Sequence, residues 1–274
     1  MELSSAQFVD VDGLKIRCLK GPERTGTPLL LTSPWPESLF AFHRVWPRLA
    51  EHASVIAVDL PGFGLSGGRA DVLCPSGMGD FIPRIMQALR LERVHAVAPD
   101  VGTAAFLFAA KSAPSLFESL IVGGGATAVD TAAATLKDLI LAPSLAQLEA
   151  QDGSTIAMAA IDRMMHSELP REIRDDYAAA SSGRRFVEAA AYVRSYPVEL
   201  VKLRAALEFI ATPVLGIWGD NDPIVPPVNA QLLLEGLPRT TAIYLDAGHF
   251  AWEEQPDAYA TAVLDWVAAG YRHV

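Results

Sequence analysis

The chain is poor in cysteine, in net positive charge and in long apolar runs, and each shortage removes a class of protein. Only Cys18 and Cys74 occur in 274 residues. They stand in unrelated contexts without metal-ligand spacing, so neither a disulfide framework nor a zinc site is read, and a reducing compartment fits. The 22 Lys and Arg are outnumbered by 32 Asp and Glu, giving a formal net charge of −10. Extended contact with phosphate backbones or anionic lipid depends on clustered basic side chains, so nucleic acid and membranes are not expected as partners. No apolar stretch reaches the roughly 18 residues of a membrane span. The first residues are polar rather than a basic segment followed by an apolar run, so no secretory signal is read and a cytoplasmic location is expected.

What the chain does have is apolar mass: 51% of its residues are hydrophobic, enough for one large core, or for one core with an appended unit. Phe8 to Val11 and Leu14 to Cys18 are β-rich runs around Asp12-Gly13, a dipeptide suited to a tight hairpin turn. Strand-length apolar runs then follow at Leu29 to Thr32, Val55 to Asp59, Val94 to Ala98, Leu120 to Val122, Val214 to Trp218 and Ile243 to Leu245. Between them lie helical patterns from Phe42 to Glu51, Met78 to Leu91, Gly102 to Ser112, Val228 to Leu237 and Asp257 to Ala269. The alternation predicts an α/β fold with a mostly parallel, doubly wound sheet. It breaks over 126–209, where no strand is read and helix-favouring residues dominate. The expected organisation is therefore a core of 1–125 and 210–274 interrupted by a helical cap over 126–209, with Gly123-Gly124-Gly125 and Ala211-Thr212-Pro213 as punctuation.

The segment from Val94 to Phe106 carries the clearest chemical signal. An apolar strand runs into Ala98-Pro99-Asp100-Val101-Gly102 and then into a helix of small residues. Small neighbours around one reactive side chain are the requirement of a nucleophile elbow, in which a strained strand-to-helix turn exposes the side chain. The plain alternative is that Asp100 is a helix cap.

With this elbow the chain resembles the α/β-hydrolase superfamily, in the branch of epoxide hydrolases and haloalkane dehalogenases that carry aspartate at the elbow. Four further segments, in the family's order, carry the likeness: Ser33-Pro34-Trp35-Pro36-Glu37-Ser38, Asp59-Leu60-Pro61-Gly62-Phe63-Gly64-Leu65-Ser66, Gly219-Asp220-Asn221-Asp222-Pro223 and Gly248-His249-Phe250. The resemblance implies an α/β-hydrolase fold in which Asp100 is the nucleophile, His249 the base and Asp222, rather than Asp220, the acid that orients it. Oxyanion donors would be the backbone N–H groups of Trp35 and Val101. The family's His-Gly-x-Pro loop reads Ser33-Pro34-Trp35-Pro36 here.

A carboxylate nucleophile disfavours ordinary esterase chemistry, because attack on an ester carbonyl would give an anhydride. It suits displacement at a saturated carbon, forming an alkyl ester that water then cleaves. Val101 stands where dehalogenases of the family carry tryptophan or arginine after the nucleophile, which disfavours haloalkanes and halo-acids. Epoxide hydrolases use cap tyrosines as acids, and the resemblance makes Tyr177, Tyr192 and Tyr196 candidates for the substrate pocket. His43 could also line it, although a solvated helix face suits it better. Met164 and Met165 read as packing between cap and core, and His166 as filler. The expected reaction needs no metal or organic cofactor, only a small-molecule substrate and water. The alternatives are a haloalkane dehalogenase-like hydrolase and a small-molecule binding protein of the same fold, and a homodimer is left open.

Overall fold

The computed structural model describes residues 5–274. Strands β1 (Gln7–Val11) and β2 (Leu14–Lys20) form the expected hairpin. Asp12 and Gly13 both have positive φ, 51° and 80°, the backbone of a two-residue turn whose twist matches its strands. There follow β3 (Leu29–Thr32), α1 (Trp46–His52), β4 (Val55–Val58), α2 (Pro75–Leu89), β5 (Val94–Pro99), α3 (Val101–Ser112) and β6 (Phe117–Gly123). The helical pattern from Phe42 to Glu51 is in fact a 3₁₀ turn over Leu39–Phe42 followed by α1, with Pro47 in the first turn of that helix. Proline suits a first helical turn, where its missing N–H costs nothing.

Between β6 and β7 the described chain forms only helices: α4 (Ala134–Leu141), α5 (Ala146–Glu149), α6 (Gly153–Met164), α7 (Arg171–Ser181), α8 (Arg185–Arg194) and α9 (Tyr196–Arg204). The fold closes with β7 (Val214–Gly219), α10 (Val228–Gly236), β8 (Thr240–Leu245), α11 (Ala251–Glu254) and α12 (Pro256–Ala268).

The eight strands form one sheet in the order β1-β2-β4-β3-β5-β6-β7-β8, and β3 to β8 run parallel. Alternate side chains feed opposite faces. On β3, Leu30 joins the core beneath α2 and α3, whereas Leu29 and Leu31 join the core beneath α1 and α12. Burial on both faces explains the nearly unbroken apolar runs. No helix among the described residues is long and apolar enough to cross a membrane.

The helical segment is tied to the sheet by buried charge. Arg17 of β2 pairs with Asp176 of α7 through two hydrogen bonds, 2.6 and 3.1 Å, and reaches Asp59 at 3.5 Å. Ser38 donates to the same Asp176 carboxylate at 2.6 Å. Removing one partner of a buried pair leaves the other charge uncompensated, which is costly. Asp176→Ala is therefore expected to lower the unfolding free energy by about 3 kcal/mol, measured by urea denaturation, while Asp176→Asn, which still bonds Ser38 and Arg17, loses less.

Candidate active site

Strand β5 ends at Pro99 and α3 begins at Val101, so the chain must turn from strand to helix within Asp100. It does so with φ 53° and ψ −122°, a conformation that costs a residue with a Cβ about 1–3 kcal/mol. The surroundings hold it there. Asp100 N–H donates to Gly123 O at 2.7 Å and Thr103 N–H donates to Asp100 O at 3.0 Å. A Cβ on Gly102 would lie 2.8 Å from Thr32 Oγ1, and one on Gly125 would lie 2.6 Å from Asp100 O. The tight turn depends on both glycines.

The Asp100 side chain makes no capping hydrogen bond to α3, which removes the reading of this residue as a plain helix cap. Its Oδ2 instead accepts the backbone N–H of Trp35 at 2.7 Å, and the N–H of Val101 also favours its charge. Its Oδ1 lies 3.8 Å from His249 Nε2. Burial raises the Asp100 carboxyl above its ordinary pKa, opposed by His249 and the two backbone donors.

His249 follows β8, and its Nδ1 lies 2.8 Å from Asp222 Oδ2. Asp222 is fixed in turn by the N–H groups of Ile224 and Val225, which donate to Oδ1 at 2.8 and 2.9 Å. Asp220 is exposed; the geometry sets Asp222, not Asp220, against the imidazole. Burial opposes charge on His249, yet Asp222 and Asp100 outweigh it and raise its pKa to about 9. A buried charged histidine is tolerated because an acid sits on each side.

A cavity of about 350 Å³ opens over these residues. The core supplies Trp35, Asp100, Ile224 and His249; the helical segment supplies Leu136, Leu139, Arg163, Met164, Phe186, Val193 and Tyr196. Trp35 and Phe186 close one wall with ring centroids 4.7 Å apart, and the buried Trp35 indole N–H has no hydrogen-bond partner among the described residues. Among the described residues no group of three or more His, Cys, Asp or Glu is placed to hold a metal ion.

Of the three tyrosines expected at the pocket, the structure brings only Tyr196 to it, and its hydroxyl makes no hydrogen bond to a described residue. Burial and the Asp100 charge raise its pKa well above the ordinary value. Tyr192 points the other way and donates to Val101 O at 2.7 Å; its neighbour Val193 lines the cavity instead. Tyr177 is buried behind the site and donates to Glu253 Oε1 at 2.8 Å. His43 also lies outside the cavity, its Nδ1 3.1 Å from Phe40 O and 3.4 Å from Glu253 Oε1. It is partly buried by that carboxylate rather than lying on a solvated face. Met164 and Met165 both pack against the core beneath α1 and α12, as read from the sequence, and Met164 also borders the cavity. Sequence reasoning missed Leu136, Leu139, Arg163 and Phe186. The only available signal was helical spacing, which marks a face without saying what it covers.

The His249 pKa, raised from 6.5 to about 9, fixes the sign of a stability effect. A histidine that is more basic in the folded state contributes stability fully present below pH 6.5 and lost as pH rises through about 9. The melting-temperature advantage of wild type over His249→Gln is expected to shrink across that window, as scanning calorimetry between pH 6 and 10 would register; an advantage that grew would contradict the charged pair.

The family described as alpha/beta hydrolase fold matches residues 27–256. A curated relative, the 2-hydroxy-6-oxononadienedioate/2-hydroxy-6-oxononatrienedioate hydrolase of Cupriavidus pinatubonensis, is 26% identical over 97% of this chain and 96% of its own. Among solved structures, Cfl2 from Burkholderia cenocepacia superposes with a TM-score of 0.84 at 22% identity, covering 95% of each chain. The haloalkane dehalogenase DbeA from Bradyrhizobium elkani gives 0.82 at 21% identity, covering 98% of this chain and 99% of its own. With the match spanning most of its length, and with the strand order already described, this chain is a member of the α/β-hydrolase family and a hydrolase of that fold.

Proposed function

We propose that the protein hydrolyses a small apolar electrophile through a covalent alkyl ester on Asp100, with epoxides as the preferred class. The single observation that carries the reading is the division of labour within one carboxylate that lines the cavity: Oδ2 accepts the Trp35 N–H at 2.7 Å, while Oδ1 lies 3.8 Å from His249 Nε2. One oxygen is held by donors and the other is free to attack. The activity named for the curated relative, on an oxononadienedioate or oxononatrienedioate, is not carried over, because carboxylate attack on a carbonyl would give an anhydride.

In the first step Asp100 Oδ1 attacks a saturated ring carbon, that carbon's bond to the epoxide oxygen breaks, and the resulting alkoxide takes a proton from Tyr196. Ester formation removes the charge of Asp100, one of the two acids that keep His249 protonated, so the imidazole releases its proton to solvent and becomes a base. It then takes a proton from water at Nε2, and the hydroxide adds to Asp100 Cγ. The oxyanion develops at Oδ2, against the N–H groups of Trp35 and Val101. Collapse breaks the Cγ–Oδ1 bond, His249 protonates the departing alkoxide, the proton on the new carboxyl restores Tyr196, and with the Asp100 charge back His249 takes up a proton from solvent. Asp222 keeps Nδ1 protonated and the ring oriented throughout. The helical segment acts as a cap that excludes water from the first step.

The buried, unpartnered indole N–H of Trp35 favours a second reading, in which the leaving group is a halide stabilised by that donor. Intact-protein mass after incubation of His249→Gln with panels of epoxides and haloalkanes separates the two, with Asp100→Ala as the blank. The expected result is an adduct from the epoxide panel on His249→Gln and none on Asp100→Ala. If wild type turns over no compound of either panel and His249→Gln carries no adduct, the covalent reading fails and a binding protein of this fold becomes the better description. Tyr196→Phe is expected to slow epoxide opening by about 100-fold while leaving any halide displacement unchanged, since halide departs without a proton; rapid-quench measurement of ester formation reads this directly.

A further inference from the structure

The cavity contains one feature that neither an epoxide nor a halide requires. Arg163 lies on α6, and with Ala160 and Met164 it forms the face of that helix that borders the cavity; positions three and four apart share one side of a helix. Arg163 supplies the cavity's only Lys or Arg side chain, and most of the remaining lining is apolar. Its guanidinium makes no hydrogen bond or ion pair to a described residue. The adjacent acid is not free to neutralise it, because Asp162 is held by Arg174 through two hydrogen bonds of 2.6 Å.

Charge makes this placement informative. The protein carries a net charge of −10, and the floor of the cavity holds Asp100, so the site repels anions unless something local opposes that field. Neutral substrates gain nothing from an arginine. A guanidinium presents a planar fork of donors that matches a carboxylate. Arg163 is exposed and Asp100 mostly buried, so the cation marks the open end and the nucleophile the closed end.

We infer that Arg163 is a specificity-determining residue that anchors a carboxylate at the cavity mouth, so that the preferred substrates are amphipathic acids. Such a molecule places its anionic end at Arg163, its apolar body against Leu136, Leu139 and Phe186, and its reactive carbon at Asp100. The identity of the reacting group rests on the proposal of Asp100 as nucleophile; the carboxylate anchor does not.

Two measurements keep these apart. The first compares kcat/KM for 5,6-epoxyhexanoate and its primary amide in wild type and Arg163→Gln. The second measures binding of hexanoate and hexanamide, which carry no reactive carbon, to the same two proteins by ligand-observed NMR. Because Arg163 stays hydrated, its substitution is expected to weaken the acid by about fivefold in both measurements, the upper range for an exposed ion pair, and to change the amide by less than about twofold. Raising the salt concentration in wild type should reproduce much of the loss. Equal effects on acid and amide, or a wild type that binds both alike, would overturn the anchor. A clear hexanoate preference without turnover of either epoxide would keep the anchor and count against the covalent chemistry.

Discussion

Everything at this site depends on one residue being held where its backbone would not rest by itself. Asp100 turns strand into helix with positive φ, and the turn survives because Gly102 and Gly125 leave room and because Gly123 and Thr103 bond its backbone. The result is a carboxylate at the end of a rigid strand, with one oxygen against the Trp35 N–H and the other toward His249. A hydroxyl nucleophile would leave the donor site empty until substrate arrived. A carboxylate fills it from the start, so in the chemistry proposed above the donors would hold the nucleophile in the resting state and receive the oxyanion in the second step.

The buried charges around this turn are arranged in alternation. Asp222, His249 and Asp100 form a line in which each acid supports the imidazolium between them, and the loss of one acid changes the character of the histidine. Behind them, Glu37 takes the Trp252 indole N–H at 3.1 Å, and burial together with Glu253 pushes its carboxyl well above the ordinary range. Held toward its neutral form, Glu37 adds less negative charge beside Asp100.

The sequence was most legible where burial leaves one solution. Strand β3 has the limits read from Leu29 to Thr32, because all four residues are buried. Strand β8 was read three residues short: Thr240, Thr241 and Ala242 carry little apolar signal on the last strand of the sheet, where even Ile243 and Tyr244 stay exposed. The approach of Asp222 to His249 follows from motif and chain order. The cavity wall does not, since Tyr192 and Val193 are adjacent on one helix and face opposite environments. Which of them meets substrate depends on how α8 rotates against the core, a long-range packing decision that no local pattern records.

Trp35 belongs to two structures at once. Its backbone N–H holds Asp100, and its ring rests on Phe186 from the helical segment. The helical segment that walls the cavity therefore presses on the residue whose amide bonds Asp100. For anyone grafting helices from another hydrolase onto this core, the graft is not modular: without an aromatic partner for Trp35 it would disturb the ring whose backbone amide holds Asp100.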